Sequence, residues 1–138
     1  MKTYRLLLFS LLLVGCAQDP DQVLANLEGY WSIEKVVLED GTDREYPFTS
    51  SLDHFTLTNN SGTKNRVVPR YDNVMVSTET PIPFKIKQSD SATLLVFEEG
   101  AAQYTQTLVK CSEEQLILEH ENGMKYYYKP YDAPQNAE

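Results

Sequence analysis

The sequence predicts an all-β domain of the sandwich or barrel type, and three observations carry that prediction. From Glu28 onward, apolar and aromatic residues fall in short runs. Turn-forming residues separate the runs at intervals of about ten residues, the spacing of strands joined by hairpins. Within several runs, apolar and polar residues alternate: Phe84 and Ile86 against Lys85 and Lys87, Phe55 and Leu57 against His54 and Thr56, Tyr126 and Tyr128 against Tyr127 and Lys129. Successive side chains of a strand point to opposite faces, so each such run buries one face and wets the other.

The elements follow in chain order. Lys2 and Arg5 precede an apolar stretch from Leu6 to Val14 that ends at Gly15 and Cys16. About nine apolar residues fall short of the roughly 20 that a membrane-spanning helix needs. The pattern is that of a cleaved leader. Its end, Leu13-Val14-Gly15-Cys16, resembles a bacterial lipoprotein signal peptide, which implies removal of residues 1–15 and acylation of Cys16, palmitate included. Several acyl chains anchor stably, at about 0.8 kcal/mol for each buried CH₂.

Residues 16–26 read as a polar tether and one short helical turn, with Asp19 as N-cap, Pro20 at the first helical position and Val23 and Leu24 as its apolar side. The domain proper is expected over residues 27–131. Strands are predicted at 30–38, 43–46, 54–58, 64–69, 74–77, 84–87, 93–98, 103–111, 116–121 and 125–131. Asp40-Gly41 and Asn122-Gly123 are the strongest turn signals and predict type I′ hairpins, which place positive φ at both central residues. Pro81 and Pro83 cannot donate to a ladder, so that stretch is read as a loop or an edge. Residues 132–138 read as a disordered tail.

Charge and cysteine content exclude several roles. Loss of residues 1–15 shortens the chain from 138 to 123 residues and takes Lys2 and Arg5, moving the formal charge from −8 to −10. A single domain is expected. So acidic a chain has no basic patch with which to displace counterions from phosphate, which argues against nucleic acid. With Cys16 used as the anchor, only Cys111 remains, and no intramolecular disulfide can form.

The opening of the domain, Leu27-Glu28-Gly29-Tyr30-Trp31, is an L-x-G-x-W run that enters the first strand after a helical turn. Asp40-Gly41 closes that strand, Ser112-Glu113-Glu114-Gln115-Leu116 leads into the penultimate one, and Asn122-Gly123 precedes a last strand rich in tyrosine. In this order and spacing the four features resemble small Bacteroidetes lipoproteins with a lipocalin-like domain, over roughly residues 27–131. The resemblance implies an antiparallel up-and-down β-barrel of about eight strands, closed so that no long edge remains. It also implies that Trp31 packs across one end of the barrel. The arginine that often covers this tryptophan from the last strand is absent, because that strand offers only Lys125 and Lys129.

A ligand-binding site is expected at the barrel mouth, formed by Trp31, Phe55, Phe84, Tyr104, Tyr126 and Tyr128. Tyrosine rings with polar tips suit partly apolar ligands. Tyr126 and Tyr128 share one face and Tyr127 takes the other. No catalytic constellation is expected, so the chain is read as no enzyme, without cofactor or metal. His54 and His120 lie far apart and are read as residues of solvated strand faces, and Cys111 as a small apolar filler. Asp90-Ser91-Ala92 resembles a Bacteroidetes O-glycosylation site, with Ser91 in an exposed turn. The expected function is ligand binding by a lipid-anchored envelope lipoprotein, with a small hydrophobic or aromatic molecule as ligand. The alternative is a structural or protein-interaction lipoprotein with a filled barrel and an envelope protein as partner. Ala17, where aspartate would signal inner-membrane retention, favours the outer membrane.

Overall fold

A computed structural model describes residues 20–132. In chain order the elements are α1 (Pro20–Leu27), β1 (Gly29–Val37), β2 (Asp43–Glu45), β3 (Leu52–Thr58), β4 (Ser61–Pro69), β5 (Met75–Ser77), β6 (Ile82–Gln88), β7 (Thr93–Glu99), β8 (Ala102–Cys111), β9 (Leu116–His120) and β10 (Lys125–Pro130). Each of the ten runs predicted as strand is a strand. The helix has eight residues, longer than the single turn expected. Cys16, the leader and the Asp19 cap lie outside the described residues.

Ten strands make eight staves. β2 and β3 share one edge of β1, β2 pairing with its residues 35–37 and β3 with its residues 29–31. In the same way β5 and β6 share one edge of β4, at residues 67–69 and 61–64. Each pair is one stave interrupted by an excursion, residues 46–51 in the first and 78–81 in the second, where Pro81 withholds a backbone donor. Every other stave pairs antiparallel with its sequence neighbour, and β10 returns to β1 to close the ring. The fold is thus the closed up-and-down eight-strand barrel that the lipocalin-like resemblance implies.

Three hairpins at one end of the barrel repeat a single design. In residues 38–42, 70–74 and 120–124 the first residue accepts from the N–H of the fourth and donates to the carbonyl of the fifth. The third residue, Asp40, Asp72 or Asn122, accepts through its side chain from the N–H of the fifth. Only the fourth residue has positive φ: Gly41 at 84°, Asn73 at 61° and Gly123 at 90°. This corrects the type I′ expectation for Asp40-Gly41 and Asn122-Gly123. Aspartate or asparagine stays at negative φ because its side chain already satisfies a backbone donor two residues on.

The opposite end is filled. Leu27, Leu95, Leu116, Leu118 and the rings of Phe55, Phe84 and Phe97 are essentially inaccessible. Val23 and Leu24 of α1 pack against this cluster, and the Trp31 indole N–H donates to the Leu27 carbonyl at 2.9 Å. Burying each such side chain contributes about 1.5–3 kcal/mol, so the helix closes the barrel as part of its core. Gly29, at φ 137°, makes the bend from helix to strand that a side chain would strain.

Gly62 permits the central ring contact. It lies on β4 opposite Phe84, and a Cβ there would stand 2.5 Å from Phe84 Cζ and 2.2 Å from the Thr56 carbonyl oxygen. The Phe84 ring therefore lies over bare backbone and reaches Phe55 across the intervening strand, ring centroids 6.2 Å apart. Gly62→Ala is expected to destabilise the barrel by about 2 kcal/mol, because a backbone carbonyl cannot yield as a side chain does. Urea unfolding followed by circular dichroism checks this, and an unchanged midpoint would contradict it.

Candidate functional site

Between the packed end and the three hairpins the barrel is open. A cavity of about 460 Å³ occupies this half, with Trp31 at its floor and Tyr46, Thr49 and Ser51 of the β2–β3 excursion at its rim. Between those rim residues Phe48 points into solvent, 94% exposed. Period-2 alternation supplies the walls: Tyr104 and Gln106 from β8, Tyr126 and Tyr128 from β10, Asp53 from β3, Lys64 and Arg66 from β4. A register shift between Ile33 and Lys35 in β1 resets the alternation, so Ile33 and Val36 both line the cavity.

The structure divides the six residues expected at the mouth. Trp31, Tyr104, Tyr126 and Tyr128 line the cavity. Phe55 and Phe84 do not; they lie in the filled half, although a continuous series of rings joins the two groups. Phe84 meets Phe97 at 5.2 Å, Phe97 stacks on Tyr104 at 5.1 Å, and Tyr104 meets His120 at 5.4 Å. His120 thus faces the cavity, not solvent as expected. It follows Leu116 and Leu118 at two-residue steps on β9 and so shares their inward face. His54 is on the outer face, stacked on Tyr30 at 4.1 Å. Burial lowers its imidazole pKa, against the opposing pull of Glu28.

A charged cluster that the sequence reading missed sits inside the barrel. Asp53 is 4% exposed. Its Oδ1 accepts from Arg66 Nε at 2.9 Å and its Oδ2 from the Tyr128 hydroxyl at 3.1 Å, while Lys64 Nζ lies 3.7 Å from Oδ2. The Lys64 ammonium also stands 5.8 Å from the centre of the Phe97 ring. Burial works against the charge of Arg66, but the hydrogen bond and the charge of Asp53 outweigh it and raise the guanidinium pKa. Tyr128 is held well above the usual phenol range by burial and then by the Asp53 carboxylate. Burial likewise raises Tyr104 and Tyr126. All three hydroxyls therefore remain protonated and able to donate at neutral pH.

The β3 pattern held the signal for this cluster. Asp53 shares parity with Phe55 and Leu57, so a strand begun at Leu52 places its carboxylate inside with those apolar residues. Lys64 and Arg66 share parity with Gly62 in the same way. Gln106 completes the lining, only 5% exposed, and among the described residues no donor reaches its Oε1. An unpaired buried acceptor costs about 1–3 kcal/mol, so this amide stands as one half of a polar contact.

Two further residues lie elsewhere. Ser91 is exposed in the β6–β7 turn at the filled end. Cys111 is buried at the end of β8, and burial pushes its thiol up to about 12. The Cys111 peptide is expected to stay unlabelled by iodoacetamide at pH 8 in the folded protein and to label fully in urea, as read by mass spectrometry, because the thiolate is the reactive form. The folded state holds this proton more tightly than the unfolded state does. Its contribution to stability is therefore complete below pH 9 and lost as pH rises towards 12.

No family model matches the chain, and no curated protein does. Two solved structures are similar in chain path. One is a lipocalin-like protein from Bacteroides uniformis, 15% identical, with a TM-score of 0.49 over 77% of this chain and 99% of that one. The other is an uncharacterized protein from Bacteroides eggerthii, 11% identical, with a TM-score of 0.48 over 76% of this chain and 99% of that one.

Proposed function

We propose that this chain is a lipid-anchored envelope protein whose barrel binds one small ligand with hydrophobic or aromatic character. The observation that carries this reading is the cavity itself: a volume of about 460 Å³, lined by Trp31 and four tyrosines, beside an otherwise packed interior. Pockets of about 300–1,000 Å³ are the usual size of small-molecule sites, and this one sets its aromatic rings beside polar and charged groups. An eight-strand barrel holds either side chains or one small ligand, and this one divides the two along its length. The alternative reading, a filled barrel that docks an envelope protein, requires bulky side chains in the half where the cavity lies.

Anchoring through Cys16 rests on the leader, and placement in the outer membrane on Ala17. In this reading the barrel also has an orientation. α1 begins at Pro20 and caps the filled end, so a lipid on Cys16 attaches the barrel by its closed end and turns the mouth away from the bilayer. The ligand is then taken from the aqueous side.

Native mass spectrometry of the protein purified gently from its own envelope tests this reading. The expected spectrum carries a single small-molecule adduct that is missing from Thr49→Trp, in which a loop residue at the rim is enlarged into the cavity. Protein that is ligand-free as isolated, and that binds no naphthylamine dye in a way that Thr49→Trp abolishes, would overturn it.

A further inference from the structure

The charges facing the cavity are unequal. Two cations, Lys64 and Arg66, and one carboxylate, Asp53, line it, with His120 the remaining titratable base. The interior therefore carries one surplus positive charge in a chain whose formal charge is −8. Asp53 is already committed: one oxygen to Arg66, the other to the Tyr128 hydroxyl. Lys64 Nζ, at 3.7 Å from that second oxygen, is beyond hydrogen-bonding distance, although its side chain is only 14% exposed. A neutral apolar ligand entering here strips water from this ammonium and offers nothing in return. An anion offers a charge-assisted bond in a site where water screens little.

Gln106 supplies an independent constraint. Its buried Oε1 has no donor among the described residues, and Gln106 lines the same cavity. A well-matched ligand brings an N–H or O–H to this oxygen. The rings of Trp31, Tyr104 and Tyr126 flank the remaining space and suit a flat or apolar body.

Building on the ligand-binding reading above, we infer that the cavity selects an amphiphilic organic anion. Its acidic group lies by Lys64 and Arg66, its hydrogen-bond donor on Gln106 Oε1 and its ring or apolar body against the aromatic wall. The interior is then cationic for recognition while the exterior stays acidic, so selection occurs in the cavity and not through long-range attraction.

Two dyes with one skeleton test this. 8-Anilinonaphthalene-1-sulfonate and N-phenyl-1-naphthylamine share the rings and the N–H, and differ only in the sulfonate. The full chain is expected to bind the sulfonate at least about tenfold more tightly than the neutral dye. Thr49→Trp should abolish binding of both, and Lys64→Met should bring the two affinities to within about twofold of each other, by weakening the sulfonate and sparing the neutral dye the cost of stripping water from the ammonium. Should Lys64→Met fail to fold, the unaltered protein still decides the matter, because decanoate must displace the neutral dye at lower concentration than decanol does. Equal affinity for the two dyes, both lost in Thr49→Trp, overturns the anion inference and leaves a ligand-binding barrel standing. Binding of neither dye, or binding that Thr49→Trp does not change, overturns the ligand-binding reading and the inference with it.

Discussion

Asp53→Asn is expected to destabilise the fold by about 3 kcal/mol, because removing one partner of a buried ion pair leaves the other charges uncompensated. The substitution keeps the shape of the side chain, removes its charge and turns one of its two acceptors into a donor. Lys64 is then left as a largely buried ammonium with no carboxylate beside it, and the Arg66 Nε and the Tyr128 hydroxyl must compete for the one neutral amide oxygen, because the other position now donates. Arg66 is 42% exposed and retains water, which places the effect at the lower end of the range for buried pairs. The complementary change, Arg66→Gln, is expected to lose only about 1 kcal/mol for the same reason. Urea unfolding followed by circular dichroism measures both. A loss below about 1 kcal/mol in Asp53→Asn would mean that the cluster is not holding β3, β4 and β10 together.

Trp31→Ala is expected to lose about 4 kcal/mol, in the range for a buried aromatic cut back to a methyl group. More than volume is removed. The indole lies between α1 and the cavity, and its N–H is the hydrogen bond from β1 to the helix at Leu27. Without it the floor of the cavity opens towards the filled end and the helix keeps only its apolar contacts through Val23, Leu24 and Leu27. Trp31→Phe retains most of the ring and loses the bond, and should cost about 1 kcal/mol beyond the lost area. Thermal unfolding separates the two variants. Equal melting temperatures for Trp31→Ala and the unaltered chain would remove Trp31 from its structural role.

The staves of the barrel were legible in the sequence because their apolar residues keep a period of two. Trp31 with Ile33, Phe84 with Ile86 and Tyr126 with Tyr128 all face inward as their alternation predicts. The breaks in two staves were legible only in part: Pro81 marked one excursion, while Pro47 in the other had no second proline to support it. The polar half of the interior was not legible. Lys64 and Arg66 alternate as residues of a solvated face do, and a strand pattern does not say which of its two faces is inside unless one of them is apolar. Asp53 is hidden because it stands just before the visible alternation of the third strand, which the sequence starts at His54. Phe55 and Phe84 were assigned to the mouth because a ring that fills and a ring that lines leave the same trace in sequence. Their height along the barrel, fixed by pairing with β4, separates them.

Trp31 is the only tryptophan in the chain and stands at the cavity floor. Its emission therefore comes from one known place, between the helix and the cavity. Tyr104, Tyr126 and Tyr128 surround the same space and can pass excitation to it. The barrel carries its own optical reporter of occupancy, in which a ligand seated against the indole changes the emission while events on the acidic outer surface leave it as it was.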